Sequence, residues 1–350
     1  MLSFAHIPMR NIGPILIQTW AEKISVPLAT FESPVWAAVN RGARVSRHTS
    51  GIEVVVVQEC MTRSIILEAI HLKEALNFLS WLDKEKETLK KKAESTSQFI
   101  QFKNFQSQLV GNLIYVRFEF LTGNAAGHNM TTKAAQVLMD WIIAAYQKEK
   151  GLIKVISVSG NYCTDKKVSA VNGILGRGKY VIAEMIIPKK ICEKLLDTSP
   201  DAIVELNQKK NWMGSTLAGS VRSANAHFAN MLLAFYLATG QDAANIIEGS
   251  QGFTYAALKN EELYFSVTLP NIIVGTVGAG KNFDFVKENL KQMDCDETTG
   301  KNKGDSSRRL AMIAAAVVCC GELSLLAALT KNGELVRSHL AMERNIKLNF

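Results

Sequence analysis

The spacing of apolar residues predicts alternating strands and helices in the first half of the chain. Residues 52–58 (IEVVVVQ) are rich in β-branched side chains and predict a buried strand. Residues 65–95 predict one long helix with a charged second half, and residues 113–121 (LIYVRFEFL) alternate as a strand does. Residues 131–150 predict an amphipathic helix, and residues 152–158 predict a further strand.

This order of elements is compatible with a small ferredoxin-like α+β unit, in which two helices cover one face of an antiparallel sheet. Other apolar elements precede and follow the unit along the chain. We therefore interpret it as a compact domain inserted into a larger one.

The flanking segments predict the elements of the larger domain. Residues 1–30 are predicted to be extended and rich in turns, and a helix follows that ends near Arg41 and Gly42. Residues 294–307 are polar and predict a loop. The remaining predicted elements are strands at 179–187 and 264–274 and helices at 190–196, 224–238, 284–293, 308–330 and 334–344.

Composition indicates a globular protein. The 350 residues are 47% hydrophobic and 21% charged, which is enough for one large or two ordinary domains with real cores. The net charge of +8 would attract polyanions such as nucleotides, coenzyme A or nucleic acid, but over this length it identifies none of them.

Cysteine usage and hydropathy predict a cytoplasmic protein that does not span a membrane. The six cysteines include no CxxC spacing, which favours reduced thiols over a disulfide framework or a zinc site. The N-terminal residues lack the layout of a secretory signal. The apolar run at residues 310–320 is about half of the ~20 residues needed to cross a bilayer.

The segment SGNYCTDKKVSAVNG, residues 159–173, is the strongest candidate for a site. It follows a predicted strand and brings Asp165, Lys166 and Lys167 together on a polar backbone flanked by glycines. Such a cluster can bind an anionic ligand. A solvated turn is the alternative interpretation.

Three further residues each allow two interpretations, a functional role and an ordinary structural role. Glu32 precedes a helix, where it is either a functional carboxylate or a capping acid. Asp242 follows a helix C-terminus, an unfavourable place for a negative charge, which suggests that a lysine holds it there. His339 on the last apolar helix is either a general acid or an ordinary surface or core histidine.

Two glycine-containing turns lie between a strand and a helix. Residues 275–281 match the spacing G-x-x-x-x-G-K, but Asn282 stands where a nucleotide hydrolase needs a hydroxyl for magnesium, which disfavours hydrolysis. A glycine turn against another phosphate-bearing ligand explains the same residues. Residues 122–130 (TGNAAGHNM) form the second turn, either a nucleotide contact or a connection that needs small residues.

Taken together, the segments resemble the 3-hydroxy-3-methylglutaryl-CoA (HMG-CoA) reductase family over about residues 7–348. The similarity is closer to the soluble catalytic portion of the eukaryotic and archaeal class than to the other bacterial class. The strings that carry it, in order, are VPLATFESPVWAAVNRG, SGNYCTDKK, GRGK, NAHFANMLLAFYLATGQDAAN, GTVGAG, GELSLLAAL and LVRSH.

The resemblance implies an α+β fold with a large mixed α/β substrate-binding domain at residues 1–63 and 158–350. A small ferredoxin-like dinucleotide-binding domain is inserted at residues 64–157. The implied reaction is the four-electron reduction of HMG-CoA to mevalonate and free coenzyme A for isoprenoid biosynthesis. It uses two NADPH, with NADH as the alternative, and passes through a bound mevaldehyde-level intermediate.

The resemblance also implies roles for individual residues. Glu32 would donate a proton, Lys166 would stabilise the developing oxyanion, Asp242 would tune both, and His339 would protonate the departing thiolate. Arg63 would grip the substrate carboxylate, Arg44 would face a coenzyme A phosphate, and Asn230 would support Lys166. The other implied substrate residues are Ser159, Asn161, Asp165, Lys167 and Lys210, and the implied cofactor residues are Ser97, Asn124, Gly127, His128, Asn129, Gln241, Gly275 and Gly278.

The departures from the family pattern concern the cofactor side. Asn124 replaces an acid, and Gln98 replaces an arginine near the cofactor 2′-phosphate. Ala279 and Lys281 replace a glycine and a threonine, and Ile273 stands where an acid is common. We therefore hypothesise thioester reduction with altered cofactor binding, in which Lys281 or His128 replaces the lost cationic contact.

The alternative to an active enzyme is a degenerate homologue that binds acyl-CoA or a partner without turnover. Family members share active sites between subunits, so we expect a homodimer or larger even oligomer in which Glu32, Lys166 and Asp242 come from more than one chain. The family's dimer-building string is missing before residues 7–17, which weakens this expectation. Neither nucleic acid nor a membrane is an expected partner.

Overall fold

The fold is α+β. The computed structural model describes residues 3, 5–149, 152–296 and 302–343, with the side chains of residues 149, 339, 342 and 343 left out. The strands are β1 (Met9–Ile17), β2 (Glu22–Ala29), β3 (Glu53–Ala69), β4 (Gln101–Val110), β5 (Leu113–Leu121), β6 (Ile153–Ser157), β7 (Gly178–Ile187), β8 (Phe253–Lys259) and β9 (Glu262–Ile272).

Helices make up much of the remainder. They are α1 (Pro34–Ser46), α2 (Leu72–Lys84), α3 (Lys86–Glu94), α4 (His128–Glu149), α5 (Ala170–Leu175), α6 (Lys189–Ile191), α7 (Pro200–Leu206), α8 (Ser215–Leu217), α9 (Phe228–Ala238), α10 (Ile246–Gly249), α11 (Asp284–Gln292), α12 (Asp305–Leu329) and α13 (Glu334–Glu343). Short π-helical segments at Cys192–Leu196 and Asn207–Gly214 adjoin α6 and α7.

The long strand β3 connects the two parts of a seven-stranded sheet. The sheet order is β4-β5-β3-β7-β9-β8, with β6 paired to β3 beside this path. The first half of β3 pairs antiparallel with β7, and its second half pairs with β5 on one edge and β6 on the other. A separate pair of strands, β1 and β2, completes the β-structure of the described residues.

Two hydrophobic clusters lie along this sheet. One contains the buried faces of α1, α9 and α12 together with β7 and β9. The other contains those of α2, α4, β4 and β5. Each cluster buries the apolar stripe of its helices against one part of the sheet, which is what amphipathic elements require.

Helix α12 is the central helix of the first cluster. It is long and apolar enough to cross a membrane, but 89% of its most apolar window is buried inside the protein, where a core helix lies. A side-chain carbon added at Gly42 would lie 2.3 Å from the carbonyl oxygen of Cys320, so α1 and α12 pack with their backbones in close contact. Gly42 therefore lies inside α1, which continues to Ser46; the prediction that the helix ends near Gly42 was wrong.

Other predicted boundaries also change. Residues 65–69 belong to β3 instead of a helix, because they pair with β5 and β6, and the rest of that predicted helix is divided into α2 and α3. Strands β4 and β8 were not predicted. Helix α12 begins at Asp305, inside the predicted loop, and residues 297–301 of that loop lie outside the described residues.

Candidate active site

Lys166 and Asp242 form an ion pair within one chain. Lys166 has a left-handed backbone, with φ 55°, in the loop between β6 and α5. Its Nζ lies 2.6 Å from Oδ2 of Asp242, whose Oδ1 accepts a hydrogen bond of 3.1 Å from the backbone N–H of Ala244. The prediction that a lysine holds Asp242 in place is confirmed.

Each partner keeps the other charged. The hydrogen bond to Asp242 raises the pKa of Lys166, although partial burial opposes it. Burial alone would raise the pKa of Asp242, but the hydrogen bonds from Lys166 and Ala244 outweigh it and lower that pKa. At neutral pH the site therefore presents an ammonium fixed by a carboxylate.

The side chain of Arg177 forms an ion pair with the neighbouring Asp165. Its side chain is fully buried, and its Nη1 lies 3.0 Å from Asp165 Oδ1 and 2.9 Å from Glu248 Oε1. Glu248 accepts a 3.1 Å hydrogen bond from the backbone N–H of Lys166. Arg177 and Glu248 thus fix the loop that presents Lys166.

Sequence reasoning missed both of these residues. Arg177 lies in the GRGK string, where an arginine between two glycines at the start of a strand was the available signal. Glu248 lies in the short helix α10 and carries no local signal. Burial raises the pKa of the Glu248 carboxyl, and Arg177 opposes this effect.

Glu32 lines a cavity whose lining includes neither Lys166 nor Asp242. Its Oε1 accepts a 3.2 Å hydrogen bond from Asn230 Nδ2, and its side chain caps no helix. Within one chain the amide of Asn230 thus binds Glu32, and its expected support of Lys166 stays a prediction. The cavity has a volume of about 250 Å³, and its lining includes Glu32, Arg41, His227, Asn230, Ser324 and Leu335.

Helix α9 separates the two groups. Asn230 lies in its first turn and Asp242 follows its end. At 1.5 Å per residue, residues 230 and 238 are about 12 Å apart along the axis. We call Asp165, Lys166 and Asp242 the Lys166 half-site, and Glu32 with Asn230 the Glu32 half-site; they lie at opposite ends of α9.

Glu322 explains why Asn230 is held in position. Its buried carboxylate accepts hydrogen bonds from the backbone N–H of Ala226 at 3.0 Å and of His227 at 2.6 Å. It also accepts one of 2.7 Å from the hydroxyl of Thr254. A carboxylate at a helix N-terminus is favourable, so Glu322 anchors the start of α9 beside the Glu32 half-site.

Helix α13 lies against the same cavity. Arg41 Nη1 lies 3.3 Å from Glu334 Oε1, and Leu335 lines the cavity. His339 belongs to α13, but its side chain lies outside the described residues.

The other predicted substrate residues divide into two sets. Arg63 Nη2 lies 3.9 Å from Asp165 Oδ2, and Lys167 Nζ donates a 3.1 Å hydrogen bond to the carbonyl of Asp165. Ser159 and Asn161 are exposed on the same loop. Arg44 on α1 and Lys210 in the π-helical segment make no described contact with either half-site.

A second cavity, of about 300 Å³, follows the turn between β5 and α4. Its lining residues are Phe99, Thr122, Gly123, Asn124, Ala125, Met130, Val277, Lys303 and Gly304. Gly127 closes the turn with φ 98°, and a side-chain carbon there would lie 2.6 Å from Thr122 Cγ2. Ser97 lies beside the cavity and accepts a hydrogen bond from the backbone N–H of Phe99, and Asn129 is exposed in the first turn of α4.

This cavity fits a nucleotide. Phe99, Met130 and Val277 give it apolar walls, and Lys303 places an ammonium group at its edge. The main-chain N–H groups at the start of α4 point out of a helix N-terminus, which favours an anion.

The glycine loop at residues 275–280 packs against that turn instead of cradling a phosphate. A side-chain carbon at Gly275 would lie 2.4 Å from the backbone nitrogen of Ala126. The side-chain amide of Gln241 accepts a 2.9 Å hydrogen bond from the N–H of Gly275 and donates one of 3.0 Å to its carbonyl. Gln241 and Gly275 are thus buried against each other and Gly278 is exposed, and the expected cofactor contacts of all three stay predictions.

Neither proposed replacement for the lost arginine lies at Gln98. Lys281 donates a hydrogen bond to the carbonyl of Gly240, and burial lowers its pKa to about 8. His128 Nε2 lies 3.7 Å from Asp165 Oδ1, and burial followed by the charge of Arg177 lowers its pKa. The described contacts of the two residues are with Gly240 and Asp165, and the hypothesis that either replaces the cationic contact stays a prediction.

Across the part of the chain that the structure describes, no group of three His, Cys, Asp or Glu side chains is placed to hold a metal ion. All six cysteines are buried and unpaired.

Comparisons with known proteins show the family of this chain. The family model described as hydroxymethylglutaryl-coenzyme A reductase matches residues 1–344. The 3-hydroxy-3-methylglutaryl-coenzyme A reductase of Methanocaldococcus jannaschii is 40% identical over 98% of this chain and 84% of its own length. The enzyme of the same name from Strongylocentrotus purpuratus is 38% identical over 99% of this chain, which spans only 37% of that relative.

A solved structure shares the fold at lower identity. The class II 3-hydroxy-3-methylglutaryl-CoA reductase from Streptococcus pneumoniae, bound to NADPH in open conformations, has a TM-score of 0.74 and 18% identity, covering 94% of this chain and 86% of its own. Archaeal and eukaryotic relatives at 38–40% identity confirm the predicted class. The chain belongs to the hydroxymethylglutaryl-coenzyme A reductase family.

Proposed function

We infer that the chain is an HMG-CoA reductase, which reduces the thioester of HMG-CoA to mevalonate and free coenzyme A by two hydride transfers from a nicotinamide cofactor. The observation that carries this conclusion is the Lys166–Asp242 pair in a chain that belongs to this family. This reaction places the protein in isoprenoid biosynthesis.

Lys166 performs the electrostatic part of the reaction. The cofactor, when bound, supplies hydride to the carbonyl carbon, and negative charge then develops on the carbonyl oxygen. A fixed ammonium directed at that oxygen stabilises the transition state by about 3 kcal/mol. Asp242 raises the pKa of Lys166 and so keeps it protonated for this task.

The residues around Asp165 bind the acyl group. Arg63 lies beside the carboxylate of Asp165 and Lys167 bonds to its backbone carbonyl, so both place positive charge there, which suits the substrate's own carboxylate. Asp165 itself accepts a hydrogen bond from the substrate hydroxyl. His339 on α13 protonates the departing thiolate, because a thiol is a better leaving group than a thiolate.

Glu32 completes the site from a second chain. The two half-sites lie at opposite ends of α9, so a Glu32 that donates a proton beside Lys166 must come from another subunit. We therefore propose a homodimer or larger even oligomer with shared sites.

NADPH is the proposed cofactor and NADH the alternative. Phe99, Asn124 and Lys303 line the cavity that would hold it, and Gly127 closes the adjoining turn. We assign residues 64–157 to an inserted cofactor domain and the rest of the chain to the substrate domain, and the two hydrophobic clusters support this division. The cavity lies between them, because Val277, Lys303 and Gly304 of the substrate domain also line it. We also propose that the protein is cytoplasmic.

The test is loss of reduced-nicotinamide absorbance with purified protein and HMG-CoA, using NADPH and NADH separately. We expect oxidation that requires the thioester and falls by about 10²- to 10³-fold in Lys166→Ala. Lys209→Ala removes an exposed lysine paired with Glu205 and is the matched control, which keeps full activity. Folded protein that binds HMG-CoA but oxidises neither cofactor would establish the degenerate homologue.

A further inference from the structure

Lys303 lies beside Gln98, which stands where the family resemblance implies an arginine. Its Nζ donates a 2.8 Å hydrogen bond to the carbonyl of Gln98, and it lies 5.7 Å from the centroid of the Phe99 ring. Lys133 Nζ donates a 3.2 Å hydrogen bond to the carbonyl of Thr96 in the same turn. Two ammonium groups therefore flank residues 96–98, although the side chain of Gln98 is neutral.

The turn that carries Lys303 is fixed to the wall of the second cavity. Ser307 Oγ donates a 2.9 Å hydrogen bond to the carbonyl of Gly123, and the N–H of Ser307 donates one of 3.3 Å to Asn124 Oδ1. Arg308 Nη1 donates a 3.2 Å hydrogen bond to the carbonyl of Lys303. These contacts explain what Asn124 does in place of an acid: it joins the Lys303 turn to the cavity.

Within the part of the chain that the structure describes, no ion pair neutralises the charge of Lys303. The nearest acid in sequence, Asp305, pairs with Arg308 at 3.1 Å. Among the described carboxylates, none forms an ion pair with Lys303 or Lys133. An ammonium has three N–H donors, and one hydrogen bond is described for each lysine, so donors remain for a ligand.

We propose that Lys303, supported by the charge of Lys133, binds the 2′-phosphate of NADPH and makes the chain prefer NADPH over NADH. The ring of Phe99 offers an apolar face for the adenosine, and Lys303 lies at the edge of the same cavity. A phosphate monoester gains a charge-assisted hydrogen bond there, whereas the 2′-hydroxyl of NADH does not. The inference rests on the proposed function, because it specifies which cofactor the reductase uses.

Equilibrium binding of two nucleotides tests the proposal without turnover. Adenosine 2′,5′-bisphosphate and adenosine 5′-monophosphate differ only by the 2′-phosphate, and calorimetry measures the affinity of each. We expect Lys303→Ala to weaken the bisphosphate by about three- to tenfold and to leave the monophosphate unchanged. Lys103→Ala is the matched control, since Lys103 also donates a 2.8 Å hydrogen bond to a carbonyl, that of Glu59, but does not line the cavity.

A rescue variant separates charge from structure. Gln98→Arg in the Lys303→Ala background places a cation on the same turn, and we expect it to restore the affinity for the bisphosphate. A Lys303→Ala variant that loses both nucleotides equally, or neither, would overturn the proposal.

Steady-state kinetics distinguish failure of the Lys303 proposal from failure of the proposed function. If the protein oxidises NADPH and NADH with HMG-CoA but Lys303→Ala leaves their ratio of kcat/KM unchanged, the reductase stands and the role of Lys303 is rejected. If neither cofactor is oxidised, the proposed function fails, whatever the binding of the two nucleotides shows about Lys303.

Discussion

The ammonium of Lys166 lies 2.6 Å from the carboxylate of Asp242. The two residues are far apart in sequence and meet because the loop after β6 and the turn after α9 are adjacent in the fold. Asp242 therefore determines both the position and the protonation of Lys166. Glu32, at the other end of α9, takes no part in this contact.

The first prediction concerns the protonation of Lys166. Asp242→Asn removes the hydrogen bond to a carboxylate that raises the pKa of Lys166, so this pKa falls. Because the reaction needs the ammonium, the alkaline limb of the kcat/KM profile moves to lower pH. At pH 7 the ammonium persists, and loss of the contact that positions it lowers activity about tenfold, which is about 1.4 kcal/mol. Steady-state kinetics over pH 6–11 measure both effects.

Glu205→Gln is the control, since Glu205 pairs with Lys209 on the surface. Its pH profile should match that of the wild type. An Asp242→Asn variant that loses rate equally at every pH would contradict the assigned role of Asp242.

The second prediction concerns the buried Arg177. Arg177→Met leaves Asp165 and Glu248 without their buried partner, so we expect the free energy of unfolding to fall by about 3–5 kcal/mol. Adding Glu248→Gln removes one of the unpaired charges and should recover part of this loss. Denaturant unfolding measures each variant.

Arg44→Met tests whether replacing any arginine would lower the free energy of unfolding by the same amount. Arg44 is exposed, so its replacement should change the free energy of unfolding by less than about 0.5 kcal/mol. Equal losses at both arginines would show that Arg177 does not organise the loop.

The third prediction is a pH dependence of stability from Lys281. Burial lowers its folded pKa from 10.5 to about 8. Between these values the folded protein has lost a proton that the unfolded chain retains, so the free energy of unfolding rises with pH in this window. Below about pH 8 both states are protonated, and the contribution of Lys281 is constant.

Lys281→Met removes this rise. Relative to the variant, the wild type should gain about 2 kcal/mol between pH 7.5 and pH 10. Lys287→Met, at an exposed lysine paired with Asp284, should keep the wild-type slope. A wild-type advantage over Lys281→Met that does not change with pH would show that the folded pKa of Lys281 is ordinary.

Local sequence patterns predicted the features that depend on neighbouring residues alone. Strand β5 has the predicted bounds because its residues alternate, and Asp242 could be linked to a lysine because a carboxylate after a helix C-terminus needs a cation. Strand β4 is an edge strand with polar residues and is defined by pairing with β5. Residues 65–69 became strand because they pair on both edges.

Contacts between distant segments could not be predicted from one sequence. Arg177 becomes important because it is buried between Asp165 and Glu248, which nothing near it in the sequence indicates. Within one chain the length of α9 separates Asn230 from Lys166 and leaves its amide to Glu32, which no local pattern indicated. Lys303 reaches Gln98 only because the turn before α12 packs against residues 122–125.

The central claim is that each active site combines the Lys166 half-site of one chain with the Glu32 half-site of another. Mixing Glu32→Gln and Lys166→Ala subunits tests it most directly, with HMG-CoA-dependent oxidation of NADPH as the measurement. In a randomly mixed dimer, half of the dimers are hybrids and each has one intact site, so about a quarter of wild-type activity should return. Mixing Lys166→Ala with Asp242→Asn should restore nothing beyond the residual activity of the variants, because these residues belong to one half-site. Inactivity of the Glu32→Gln and Lys166→Ala mixture, in subunits shown to have exchanged, would contradict the shared site.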